Sequence, residues 1–292
     1  MRFESVTSAQ NAKVKTLLAL QEKARLRKEM GLFVVEGRRE LEHCVRAGFE
    51  IDTLFYCPDI VGLAVGHSSA IRYSALTRNA DPTRVKAPEC PLPDLDVLSA
   101  AMKVVEVPRE LYGKIAYRGG TEGMVAEVKV KERTLGELRL PENPLVVVLE
   151  GVEKPGNLGA VLRSADAAGA DAVLICDPLT DLYNPNLIRA SIGAVFTVPV
   201  ACCTSDEAIK WLKDNNINIY TAQLQDSSWY YDTDMRGGTA IVIGTEATGL
   251  TAAWREAADA HIRIPMLGEL DSLNASVSAA ILLFEAVRQR NA

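Results

Sequence analysis

The sequence predicts an α/β protein in which a parallel-sheet domain fills the second half and a smaller α/β domain precedes it. Three observations carry this. The runs Leu145–Leu149, Ala172–Cys176 and Ala240–Ile243 are continuously apolar, as strands covered on both faces are, and helical segments alternate with them, which implies parallel pairing. The polar stretch 134–143 contains Pro141 and is followed by Pro144, a composition that predicts a linker. The first half is basic at its start and carries shorter strand signals. The expected division is therefore 1–133 as a first unit, 134–143 as linker and 144–292 as a second unit.

In the first half, Asn11–Leu20 sets Val14, Leu17 and Leu18 on one side of a helix, with Ser8 as its expected cap. Gly31–Gly37 reads as a short strand ending in a turn. Arg38–Ala47 reads as a helix and Ile51–Tyr56 as a strand, and a further helix–strand pair extends to Tyr73. Residues 79–94, rich in proline and charge, read as a loop, and Met124–Val130 as a strand. In the second half the expected helices are Leu158–Ala168, Ser205–Asn215 (capped by Ser205) and Ala275–Arg288. The last of these buries a stripe of Val277, Ala280, Ile281 and Phe284. Strands are expected at Phe196–Val200 and Ile217–Ala222 besides the three apolar runs.

Composition narrows the class. The chain of 292 residues is 48% hydrophobic and 24% charged, ordinary for a soluble globular protein. No apolar run approaches the ~18 residues that span a bilayer, and the N-terminus lacks the apolar core of a signal peptide, so a cytoplasmic location is expected. The six cysteines include no CxxC pair and histidines number three, which argues against a metal site. Net charge is −6, yet residues 1–40 hold nine Lys/Arg against five Glu. A basic end on an acidic body points to a local anion contact. Lys13, Lys15, Arg25, Arg27, Lys28 and Arg38 are the candidates, and a solvated helix laced with i,i+4 ion pairs explains the same charges.

No GxGxxG, P-loop, GxSxG or HExxH is present. The first apolar strand leads instead into a turn and then Asn157-Leu158-Gly159-Ala160-Val161-Leu162-Arg163. Asn157 can cap a helix there, and Gly159 permits close approach by a ligand or another chain. Arg163 lies about 240° around that helix from Asn157 and can serve either a phosphate or ribose or a salt bridge to Asp166. Gly244-Thr245-Glu246-Ala247-Thr248-Gly249-Leu250 closes another apolar strand, where ligands of parallel sheets bind, and adds the Glu246 carboxylate. In the tail, Ile264-Pro265-Met266 offers an apolar wall with backbone polar groups. Ser272-Leu273-Asn274-Ala275-Ser276 then opens the last helix, with Ser276 as a possible N-cap. Three polar turns at strand ends suggest one composite site.

Together these three segments resemble the SpoU/TrmH family of SPOUT RNA 2′-O-ribose methyltransferases, over about 145–290. The first half is similar to the substrate-binding domain that often precedes it, itself like a ribosomal RNA-binding protein. The signals there are Ser8–Lys15, Phe33–Gly37 and Gly123–Ala126. The resemblance implies a C-terminal trefoil knot, S-adenosylmethionine as cofactor and a homodimer. It places Gly244, Ile264, Met266 and Leu273 at the cofactor, Arg163 as the catalytic arginine, and Asn157, Glu246, Ser272 and Asn274 at the other polar site positions. The implied reaction is methyl transfer to a ribose 2′-hydroxyl, with ribosomal RNA as the expected substrate. A transfer RNA substrate, methylation of a base, or a non-catalytic RNA-binding assembly factor remain the alternatives. Lys154 between Glu153 and Pro155, and Gly156, depart from the commoner pattern of the first motif.

Overall fold

A computed structural model describes residues 2–61, 63–65, 71–73, 93–117, 122–245 and 249–292. The chain forms two compact units, Met1–Lys131 and Glu132–Ala292.

The first unit runs β1 (Arg2–Ser5), α1 (Ala12–Glu22), α2 (Ala24–Met30), β2 (Leu32–Glu36), α3 (Arg38–Arg46), β3 (Ile51–Tyr56), α4 (Pro58–Val61), β4 (Leu63–Val65), β5 (Ile71–Tyr73), α5 (Pro93–Ala100), β6 (Ala101–Glu106), α6 (Arg109–Ile115) and β7 (Met124–Lys129). Its main sheet has the order β1-β6-β3-β7-β2. β1, β6 and β3 are parallel, and β7 is antiparallel to both its neighbours. Val14, Leu17 and Leu20 of α1 pack with Val34, Phe55, Val105 and Val125 of the sheet. The cap of α1 is Asn11 rather than Ser8. Asn11 Oδ1 accepts from the Lys13 N–H at 2.9 Å, whereas Ser8 turns to the Gln10 N–H at 3.1 Å. Of the loop expected at 79–94, residues 79–92 lie outside the described residues, and Pro93 opens α5.

One carboxylate interrupts this apolar layer. Glu127 in β7 pairs with Val34 on one side and Thr53 on the other, is 5% exposed, and its Oε1 has no hydrogen-bond partner. Burial, and then the nearby Asp52 carboxylate, push its pKa from 4.5 up to about 7, against smaller opposing effects of Thr53, Lys103 and Lys13. The folded chain therefore holds a proton that the unfolded chain releases between those values. Stability from this group is complete below about pH 4.5 and is lost as pH rises through about 7, a span worth about 3 kcal/mol. Glu127→Gln cannot ionise. Denaturant melts are expected to show the variant more stable than the parent at about pH 8 and close to it at about pH 4.5. The same pH dependence in both proteins would refute this.

The second unit runs β8 (Leu145–Glu150), α7 (Pro155–Ala168), β9 (Ala172–Cys176), α8 (Pro185–Ser191), α9 (Ala194–Thr197), β10 (Val200–Cys203), α10 (Ser205–Asp214), β11 (Asn218–Ala222), β12 (Ser228–Trp229), β13 (Thr239–Ile243), α11 (Ala252–Ala257), β14 (Ala260–Arg263) and α12 (Ala275–Arg290). Its seven strands are all parallel, in the order β10-β9-β8-β13-β11-β14-β12. The buried β strands lack alternation because Val146, Val148 and Val242 pack with Leu212 and Trp254, while Val147, Leu149 and Ile241 are equally buried. α7 packs against α8 and α12. The close approach expected at Gly159 is made by α8 of the same chain: a Cβ there would sit 2.6 Å from Ala190 Cβ and 2.7 Å from the Leu187 carbonyl oxygen.

Several expectations are corrected. Residues 134–143 belong to the second unit, since Leu135, Leu138 and Leu140 pack on its core and three leucines carry enough apolar area to make burial favourable. The strand expected at Phe196–Val200 is a helical turn, α9, entered from Gly193 at φ 84°. Pro199, without an N–H, precedes the true strand β10. Thr204 caps α10 in a capping box with Glu207, and Ser205 turns inward instead. In α12 the buried side is Ala275, Ala279, Leu282, Leu283 and Ala286, while Val277 and Phe284 are 46% and 47% exposed. Both sides of that helix are apolar, so periodicity alone selected the wrong one. The C-terminus of α12 is tied down by Arg290, which donates to the carbonyls of Asn143, Pro144, Met235 and Gly237.

Candidate active site

The carboxyl ends of β13, β11 and β14 open into a cleft. In parallel sheets this is where ligands bind, because loops rather than helices cover strand ends. β11 lies between β13 and β14 in the sheet, so its end stands between the two loops that the sequence singled out. The main cleft, about 670 Å³, is lined by Gly244, Leu250, Gln223, Ser272, Leu273 and Asn274, among others. A smaller cavity of about 140 Å³ shares Leu224, Ser272 and Leu273 and adds Ile262, Ile264 and Met266. Ser272, Leu273, Asn274 and Gly244 thus meet at the larger space, and Ile264 and Met266 at the apolar one. Glu246 lies outside the described residues.

Gly244 is required by its neighbours. A Cβ there would come within 2.5 Å of the Gly249 backbone carbon and oxygen and 2.7 Å of the Leu250 nitrogen. The chain returns on itself at this point, with the Gly249 N–H donating to the Thr245 carbonyl at 3.1 Å and Gly249 at φ 67°, a conformation open to glycine.

The first motif joins the cleft at one point. Asn157 lies in the first turn of α7, which begins at Pro155 after Lys154, so it is not the cap. Its Oδ1 accepts from Asn274 Nδ2 at 3.2 Å. Asn274 in turn caps α12, its Oδ1 accepting from the Ser276 N–H at 2.9 Å and the Ser276 hydroxyl at 2.7 Å. Asn274, not Ser276, is therefore the helix cap, and it joins the start of α12 to α7. Ser272 is exposed, its hydroxyl 3.2 Å from Asp271 Oδ1. Arg163 is exposed on α7 and does not line the cleft. Asp166 Oδ1 accepts from Thr197 Oγ1 at 2.6 Å, and no Arg163–Asp166 ion pair forms among the described residues.

The basic residues of the first unit divide. Arg27 is buried, and its Nη1 donates to the Leu20 and Gln21 carbonyls at 2.5 and 3.2 Å. It satisfies carbonyls that the end of α1 leaves without helical partners, and this removes it from the surface set. Lys13 pairs with Glu4 at 2.5 Å and Arg25 with Glu29 at 2.6 Å. Arg38 is half-buried at the start of α3, with its N–H on the Glu122 carboxylate. Lys15 and Lys28 are exposed.

Residues that sequence reasoning missed are Ala222, Gln223 and Leu224 at the end of β11, Arg255, and Ser278. Strand order, which the sequence does not reveal, puts β11 there. Among the described residues no group of His, Cys, Asp and Glu is arranged to hold a metal, and no helix is long and apolar enough to cross a membrane.

Comparison with known proteins fits this arrangement. The SpoU rRNA methylase family matches residues 144–284, and the MRM3-like substrate-binding domain matches residues 11–126. A 23S rRNA (guanosine-2′-O-)-methyltransferase RlmB of Vibrio parahaemolyticus is 35% identical over 202 residues, covering 67% of this chain and 81% of that one. The chain belongs to the SpoU rRNA methylase family. The RlmB of Xanthomonas axonopodis is 41% identical over 147 residues, which are 50% of this chain and 59% of the relative, so this chain spans little more than half the length of that relative. Among solved structures, an RNA 2′-O ribose methyltransferase aligns over 99% of this chain and 100% of its own, with a TM-score of 0.76 and 36% identity. An AdoMet-bound rRNA methyltransferase from Sinorhizobium meliloti aligns over 98% of both chains, with a TM-score of 0.81 and 27% identity.

Proposed function

We propose that the protein is an S-adenosylmethionine-dependent methyltransferase acting on a ribose 2′-hydroxyl of ribosomal RNA. The observation that carries this reading is the convergence of Gly244, Leu273 and Asn274 on one cleft at the carboxyl ends of a parallel sheet in a SpoU family member. The cleft suits the cofactor: its volume lies in the range of small-molecule sites, and the Ile262–Ile264–Met266 cavity has the apolar walls a purine ring needs. S-Adenosylmethionine, when bound, supplies a sulfonium-activated methyl group. The chain then has to orient the 2′-hydroxyl and help remove its proton. Arg163 is the residue we assign to orienting that hydroxyl and its neighbouring phosphate through its fixed fork of donors. Asn157 and Asn274 join α7, which carries Arg163, to the start of α12. Lys15 and Lys28, exposed on the first unit, are assigned to RNA phosphates. Such contacts weaken as salt rises.

The reading includes a homodimer and a trefoil knot formed where the cleft loops meet α12, and it places the protein in the cytoplasm. Val277 and Phe284 lie seven residues apart on one exposed side of α12, a helix that packs on the Arg163-bearing α7, so a second copy covering that side would bring Arg163 near a shared site. Phe284→Arg is expected to shift sedimentation to the monomer and to abolish methylation while the melting temperature of the monomer stays measurable. A dimer that survives the substitution sinks this interface. The test of the function itself is methyl transfer from labelled S-adenosylmethionine to ribosomal RNA from cells lacking the gene, with the label mapped to ribose or base. Label found on a base, on transfer RNA alone, or on neither overturns the proposal.

A further inference from the structure

The peptide unit between Leu250 and Thr251 is gripped from both sides by charged groups. Its carbonyl accepts from Arg255 Nη2 at 2.7 Å and Arg255 Nε at 3.1 Å. Its N–H donates to Glu150 Oε2 at 2.9 Å. The Thr251 hydroxyl donates to Glu150 Oε1 at 2.7 Å, although Thr251 is the N-cap residue of α11, and its side chain makes no cap bond. Glu150 is 5% exposed at the end of β8, where an unpaired carboxylate would be costly. Its burial is tolerable because both oxygens accept hydrogen bonds. Ser205 stands behind it: its Oγ lies 2.6 Å from Asp177 Oδ2 and 3.2 Å from Glu150 Oε1, and accepts from the fully buried Trp254 Nε1 at 3.0 Å. α10 and α11 are thereby tied to the end of β8.

The gripped peptide ends the loop that lines the cleft. Gly244 abuts the Gly249 and Leu250 backbone, so the position of Leu250 bears directly on the cleft wall that Gly244, Gly249 and Leu250 share. We infer that Glu150 and Arg255 are positioning residues that clamp the Leu250–Thr251 peptide and thereby hold Gly249 and Leu250 against Gly244 at the cleft wall that receives the cofactor. This rests on the methyltransferase reading for the identity of the ligand. Neither residue belongs to the three motif segments, and the clamp acts through backbone, holding cleft residues in place before a ligand arrives.

The test uses the full chain carrying Arg255→Met or Glu150→Gln. Arg255 is exposed, so its variant is expected to fold even if the buried Glu150 variant does not. Hydrogen exchange of the Thr251 amide in ligand-free protein is expected to accelerate about tenfold or more in each variant, since a charge-assisted bond contributes about that factor. The dissociation constant for S-adenosylmethionine should rise by a similar factor in each variant, including Glu150→Gln, whose side chain does not line the cleft. Unchanged exchange overturns the clamp, and faster exchange with unchanged cofactor affinity overturns its link to the cleft, both with the parent still binding S-adenosylmethionine. A parent that binds no S-adenosylmethionine overturns the methyltransferase reading and the clamp's ligand together.

Discussion

Arg163→Ala is expected to lower the rate of methyl transfer by a factor on the order of 10²–10³, the range seen when one preorganised donor at a reacting oxygen is removed. The expected cost in stability is small, within about 0.5 kcal/mol, because the side chain is exposed and replacing an exposed residue away from caps and buried networks costs little. Asp166, the nearest carboxylate along the helix, is bonded to Thr197. The measurement is single-turnover methylation of ribosomal RNA beside a thermal melt. Retained activity sinks the assignment of Arg163, and a collapsed melt would recast it as structural. Arg163→Lys separates charge from geometry: if the planar fork matters, lysine restores little.

Gly244→Ala is expected to remove S-adenosylmethionine binding, at least tenfold and in the limit completely. The obstacle is covalent backbone, not a side chain that can change rotamer. The new methyl would overlap the Gly249 carbonyl and the Leu250 nitrogen, so the loop itself must move, at a cost of about 1–3 kcal/mol. Gly156→Ala supplies the control. A Cβ at Gly156 meets nothing within 4 Å, and Gly156 sits in the first turn of α7, so alanine there is expected to be neutral or stabilising by up to about 1 kcal/mol. Calorimetric titration of both variants decides the matter. Equal cofactor affinity in the two would show that the close return of the chain at Gly244 is not what shapes the cleft.

The two glycines show how function and packing share one sequence signal. Gly159, read as a place for a ligand, accommodates α8. Gly244, read as a turn with exposed donors, does line the cleft, but its missing side chain makes room for the chain's own return. Sequence spacing marks that something comes close; it does not say what.

The sequence by itself determined the parallel sheet, the strands of its centre and two of the segments that line the cleft. Continuous apolar runs can be buried only between two helical layers, and glycine, serine and asparagine at strand ends mark turns with free polar groups. It also determined the family, through three motifs in order. Tertiary structure alone decided which face of α12 is covered, because both of its faces are apolar. It decided that Arg27 is a buried clip and that Lys15 and Lys28 are exposed, because charge reads the same in a sequence whether solvated or enclosed. It placed β11 between β13 and β14, bringing Gln223 and Leu224 to the cleft. It also set Glu150 and Arg255 on opposite sides of one peptide, a pairing between distant parts of the chain that no local pattern encodes.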